Sequence, residues 1–103
     1  MDLTLFEKNI IHQALNAMPT GTIGEVERIL AVKPNFDLTK EEAKIVQAAD
    51  ISDKPELDDS ASVEISIEDM QLIWNKMKQM TGFPVHPRSI QFKTKMEALN
   101  GKS

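Results

Sequence analysis

LTLFEKNIIHQALNAMP, from Leu3 to Pro19, lies without a gap on ISIEDMQLIWNKMKQMT, from Ile65 to Thr81, at an offset of 62 positions. Size and polarity match at Leu3/Ile65, Thr4/Ser66, Leu5/Ile67, Glu7/Asp69, Asn9/Gln71, Ile10/Leu72, Ile11/Ile73, Gln13/Asn75, Leu15/Met77 and Met18/Met80. One supersecondary unit used twice explains such a pattern, and two copies make a pair of packed layers rather than a solenoid. The repeat decides architecture; it names no substrate.

Each copy opens with the grammar of a helix N-terminus. Thr4 can accept a hydrogen bond from a first-turn N–H while Glu7, three residues on, reaches back to the cap, and Ser66 with Asp69 repeats this with a shorter acid. Beyond the twin segments, the same signal recurs at Thr22 with Glu25 and at Thr39 with Glu42, and Pro87 suits the first turn of a last helix that stops at Asn100-Gly101. The spacing therefore predicts helices over 4–18, 22–33, 39–49, 66–81 and 87–99.

Apolar faces support these elements. Ile67, Met70, Ile73, Trp74, Met77 and Met80 fall on one stripe of the fourth helix, and Ile11, Leu15 and Met18, flanked by Ile10 and Ala14, on one stripe of the first. The second helix is expected to bury Val26, Ile29 and Leu30; the last, Phe92, Met96 and Leu99. Ahead of the repeated helices, Asp2 to Leu5 and Ser62 to Ile67 carry two open readings: a short antiparallel ribbon joining the copies, or helical extensions. Asp50, Asp53, Glu56, Asp58 and Asp59 repel one another and Pro55 interrupts regular structure, which predicts a flexible acidic connector over 50–62.

The expected fold is thus mainly α, a compact single domain over 1–103 of about five helices. It divides into a first helix-pair unit at about 2–33, an extra helix at 39–49, the connector, and a second unit at about 63–99. With 103 residues and 41% apolar composition, the chain can bury one modest core but not two. No cysteine means no disulfide, no thiolate nucleophile and none of the commonest zinc sites. No apolar run approaches the roughly 20 residues that span a bilayer, and Met1-Asp2-Leu3 lacks the basic start of a signal peptide. A soluble, unprocessed cytoplasmic chain is the expectation.

The net charge of −4 hides an asymmetry: up to Asp69 the chain carries 15 acids and 6 bases, and from Met70 onward 1 acid and 6 bases, so −9 faces +5. Two solvated faces, a head-to-tail electrostatic contact, or a basic surface for an anionic partner would each account for it. Candidate anion-binding residues are Arg88, Lys93 and Lys95, near Trp74, Phe83 and Phe92. His12 and His86 lack a second histidine at helical ligand spacing, the connector lacks the glycine and glutamate of a calcium loop, and Gly21-Thr22-Ile23-Gly24 lacks the lysine of a phosphate cradle. No nucleophile turn occurs, so neither a catalytic residue, a metal nor a cofactor is expected.

Leu3-Thr4-Leu5, Glu7, Asn9, Ile10, Ala14-Leu15 and Met18-Pro19, followed by Val26 and Ile29-Leu30, resembles small accessory proteins encoded by tailed bacteriophages, over the first third of the chain with a weaker echo from Ile65. The resemblance implies a viral origin and a small non-enzymatic role inside an infected bacterium, and it carries over no site residue. The residues themselves favour protein–protein interaction or self-association, with Trp74, Met70, Met77 and His12 as candidate partner-binding positions. Nucleic-acid or anionic-nucleotide binding through the basic last third is the alternative.

Overall fold

A computed structural model describes residues 1–18, 21–49, 55–80 and 87–101, with backbone alone at Ala48, Ala49, Asn100 and Gly101. Among the described residues five α-helices follow one another: α1 (Leu5–Ala17), α2 (Ile23–Val32), α3 (Lys40–Ala49), α4 (Ile67–Met77) and α5 (Pro87–Gly101). Short 3₁₀ helices at Lys33–Phe36 and Pro55–Asp58 lie between them.

The four capping signals set four helix starts. Thr4 Oγ1 accepts from Glu7 N–H at 3.2 Å while Thr4 N–H donates to Glu7 Oε1 at 2.9 Å. Thr22 with Glu25 and Thr39 with Glu42 close the same reciprocal pair of bonds. Each satisfies donors that the first turn would otherwise leave open, stabilising its helix by about 1 kcal/mol. Ser66 accepts from Asp69 N–H at 3.1 Å. One methylene shorter than a glutamate, Asp69 instead takes the Nε and Nη2 of Arg28 on its Oδ1, at 2.9 and 2.7 Å.

The core gathers most of the predicted stripes, but Ile67 at the head of the fourth-helix stripe is 58% exposed. Ile10, Ile11 and Leu15 of α1, Met70, Ile73, Trp74 and Met77 of α4, and Phe92 and Met96 of α5 are buried together with Leu3, Phe36, Val32 and Val63. Trp74 and Phe92 meet edge to face, ring centroids 5.5 Å apart and planes at 89°. Burying a side chain such as Phe92 contributes about 2–3 kcal/mol by area, and the ring contact adds roughly 1 kcal/mol. Burial therefore dominates and the ring geometry refines it.

Packing departs from two matched helix pairs. Helix α4 packs on α5, whereas α2 lies against α4 and the 3₁₀ turn at Lys33–Phe36, and α1 rests on α5 and on the same turn. Equivalent positions of the twin segments have different fates: Leu5 is 3% exposed and Ile67 58%. Of the two readings for the segments ahead of the repeated helices, a ribbon is represented by no more than an isolated antiparallel bridge between Thr4 and Ser60, and no sheet occurs among the described residues. Leu5 N–H donates to Asp59 O, Ala61 N–H to Leu3 O, and Val63 N–H to Met1 O. A longer ladder has no room, because α1 starts at Leu5 and Ser66 is already committed to capping α4.

The connector is less loose than its charge suggests. Residues 50–54 lie outside the described residues, but Pro55–Asp58 forms a 3₁₀ turn that buries Leu57, and Ala61 and Val63 are buried after it. Alternating apolar side chains draw this stretch onto the core, which outweighs the repulsion among its acids. A second departure concerns α2, where Val26 and Ile29 are partly buried but Leu30 is 59% exposed.

Candidate functional site

Three of the four residues expected to meet a partner are closed inside the chain: Met70 and Met77 are fully buried, and Trp74 is 6% exposed against Phe92. A partner would reach them only if α4 and α5 separated. His12, the fourth, is half-buried on α1. Its Nδ1 is buried without a hydrogen-bond partner, 4.0 Å from Asp37 Oδ1, and its Nε2 lies 3.5 Å from Asn16 Nδ2.

The three candidate anion binders are each engaged within the chain. Arg88 holds Asp58 in a two-pronged pair, Nε to Oδ1 and Nη2 to Oδ2, both at 2.9 Å. Lys95 Nζ lies 2.6 Å from Glu7 Oε1 and 3.3 Å from the Asp2 carbonyl oxygen. Lys93 pairs with Glu97 one turn later on α5, at 3.4 Å. Arg88 and Lys95 are seven residues apart and share a face, while Lys93 lies on another. The basic third thus meets acids of the first part of the chain at Lys95–Glu7, Arg88–Asp58 and Lys76–Glu25, a head-to-tail contact inside one chain.

Two buried charges on α1 escape a reading by composition. Glu7, 3% exposed, accepts from both Thr4 N–H and Lys95, and Lys8, also buried, donates to Glu42 Oε1 at 2.9 Å. The repeat holds the signal for Lys8: its counterpart is Met70, at a position the core claims in the second copy. Burial pushes the Glu42 carboxyl up, but the Thr39 N–H and the Lys8 ammonium more than reverse this, so it lies below the usual 4.5. Glu25 is likewise lowered, by the Thr22 N–H first and Lys76 next.

The turn at Gly21 to Gly24 is filled by the chain itself. Glu25 supplies the carboxylate that the N-terminus of α2 attracts, and Lys76 Nζ would lie 3.1 Å from a Cβ built on Gly21. A phosphate there would compete with Glu25 for the same N–H groups. Among the described residues, no group of three or more His, Cys, Asp or Glu could hold a metal ion, and no helix is long and apolar enough to cross a membrane.

Among the described residues, the outward side of α2 is open to solvent. Ile23 is 76% exposed and Leu30 59%, with Gly24, Glu27 and Ala31 beside them and Val26 half-buried at the edge. Ile67 on α4 and Ile90 on α5 are also exposed, singly. The signal for α2 is present in the sequence: apolar residues at 23, 26, 29, 30 and 32 spread too far round a helix for one contact to cover them. No family model matches the chain, and neither a curated protein nor a solved structure is found to be similar to it.

Proposed function

We propose that this chain is a small non-enzymatic interaction protein that works by offering the outward side of α2 to another protein. The supporting observation is the apolar side chains that α2 holds in water, Ile23 and Leu30, on a helix fixed to the body by Arg28–Asp69 and Lys76–Glu25. Isolated apolar residues on a surface are ordinary; a row of them along one helix side marks a contact surface. A rigid, pre-formed helix also loses little freedom on binding.

The alternative, nucleic-acid or anionic-nucleotide binding, draws less support, because Arg88, Lys93 and Lys95 each face a carboxylate at 3.4 Å or less. A phosphate would have to displace those acids. A phage origin, as the resemblance in the first third implies, would make the target a host or viral protein in the bacterial cytoplasm.

The test is retention on immobilised chain, comparing wild type with Leu30→Asp in host extract at low and high salt. Binders kept by wild type at high salt and lost with Leu30→Asp are the expected result, since apolar contacts are little screened. Identical binders on both forms, or retention of nucleic acid that falls steeply with salt, would contradict the reading.

A further inference from the structure

The exposed arc of α2 also limits the chemistry of what can cover it. At 100° per residue, Val26, Leu30 and Ile23 fall within about 60° of one another, Glu27 borders them, and Ala31 and Gly24 form the far edge. Ile23, Val26 and Leu30 repeat at i, i+3 and i+7, the spacing by which one helix seats in the groove of another. The far edge is shallow: nothing lies within 4 Å of where a Cβ on Gly24 would stand, and Ala31 follows seven residues later. A neighbouring backbone could approach closely there.

Charge then selects among occupants. Glu25 is paired with Lys76 and Arg28 with Asp69, whereas Glu27, exposed at the middle of the arc, has no charge partner among the described residues. A covering surface that left Glu27 unpaired would forfeit affinity, and one bringing a second carboxylate would be repelled. A second copy of α2 packed antiparallel across a two-fold axis does the latter, because Glu27 lies midway between Ile23 and Leu30 along the helix and would face its own symmetry mate. An anionic lipid surface or nucleic acid meets the same carboxylate.

We infer that the outward side of α2 receives an amphipathic helix of another protein, with apolar residues at i, i+3 or i+4 and i+7 and a lysine or arginine placed against Glu27. The inference rests on the interaction reading above and deepens it by naming the partner's chemistry.

Two synthetic helical peptides with the same leucine stripe, one flanked by lysines and the other by glutamates, provide the probes, with binding to the full chain read by fluorescence anisotropy. Wild type is expected to prefer the lysine peptide by about tenfold or more, Leu30→Asp and Ile23→Asp to lose most of that binding, and Glu27→Lys to reverse the preference. Far-ultraviolet dichroism and Trp74 emission establish that each variant is folded. A Glu27→Lys chain that still prefers the lysine peptide would overturn the inference, since general acidity and not this face would then attract it. Binding of neither peptide would overturn the choice of occupant, while the interaction reading stands or falls separately on retention by Leu30→Asp. A wild-type dimer in light scattering that Leu30→Asp dissolves would assign the face to a second copy instead.

Discussion

On α5 the chemistry that looks available from sequence turns inward: Phe92 and Met96 are fully buried, Arg88 holds Asp58, and Lys95 holds Glu7. On α2 the reverse occurs, with Ile23 and Leu30 left in water while Glu25 and Arg28 bind the helix to α4. A run of cations near aromatics therefore describes a surface only after the pairs made inside the chain are subtracted. Here the chain's own acids meet Lys76, Arg88 and Lys95 of the basic third, while α2 leaves Ile23, Leu30 and the charge of Glu27 in water.

Truncating one residue from each helix strains this contrast most. Phe92→Ala is expected to cost about 3–5 kcal/mol in urea unfolding, from lost burial and a cavity under Trp74. Leu30→Ala should stay within about 0.5 kcal/mol. Comparable losses would mean that α2 is covered by its own chain.

Next in size are the carboxylates. Glu7→Ala strips a nearly buried acceptor from Lys95 and Thr4 N–H and should cost about 2 kcal/mol, while Glu27→Ala on the open face should be nearly neutral. Equal effects would say that Glu7 is no more embedded than Glu27.

Acid provides a smaller, graded effect. Glu42 and Glu25 titrate below 4.5 in the folded chain, so the unfolded chain takes up their protons first as pH falls. Their contribution is full above about 4.5 and is lost as pH drops through the folded values. A Glu42→Gln variant should therefore show a flatter decline of stability below that point, followed by thermal melts at stepped pH. An unchanged slope would mean that Lys8–Glu42 adds nothing to acid sensitivity.

The smallest expected effect is a gain. Gly24 lies in the first turn of α2 with space around it, so Gly24→Ala should raise stability by about 0.5–1 kcal/mol through helix propensity. The same change would weaken peptide binding if a partner backbone uses that space. Stability unchanged or lowered would show that α2 is less regular there than described.

How much of the fold is legible in the sequence follows the range of each interaction. Caps are local, so Thr4, Thr22, Thr39 and Ser66 announce four helix starts within a residue or so. The stripes of α1, α4 and α5 are legible because period alone decides which side is apolar. Which helix covers which stripe is not local: α2 leans on α4 through Arg28 and Asp69, 41 residues apart, and Glu7 meets Lys95 across 88. Period and composition therefore place Leu30 inward and offer Met70 and Met77 to a partner, and they are blind to the buried pairs at Glu7 and Lys8. The acids of the connector likewise hide Leu57, Ala61 and Val63, which hold its described part to the core.

Hydroxyl-radical footprinting of the native chain, read residue by residue by mass spectrometry, compares the two helices in a single measurement. Methionine, tryptophan and phenylalanine are intrinsically more reactive than leucine and isoleucine, so burial has to invert the natural order. Protection of Met70, Met77, Trp74 and Phe92 beside ready oxidation of Ile23 and Leu30 is the expected outcome. Labelling of Trp74 and the α4 methionines at unfolded rates, with Leu30 protected, would refute an inward α5 and an outward α2 together.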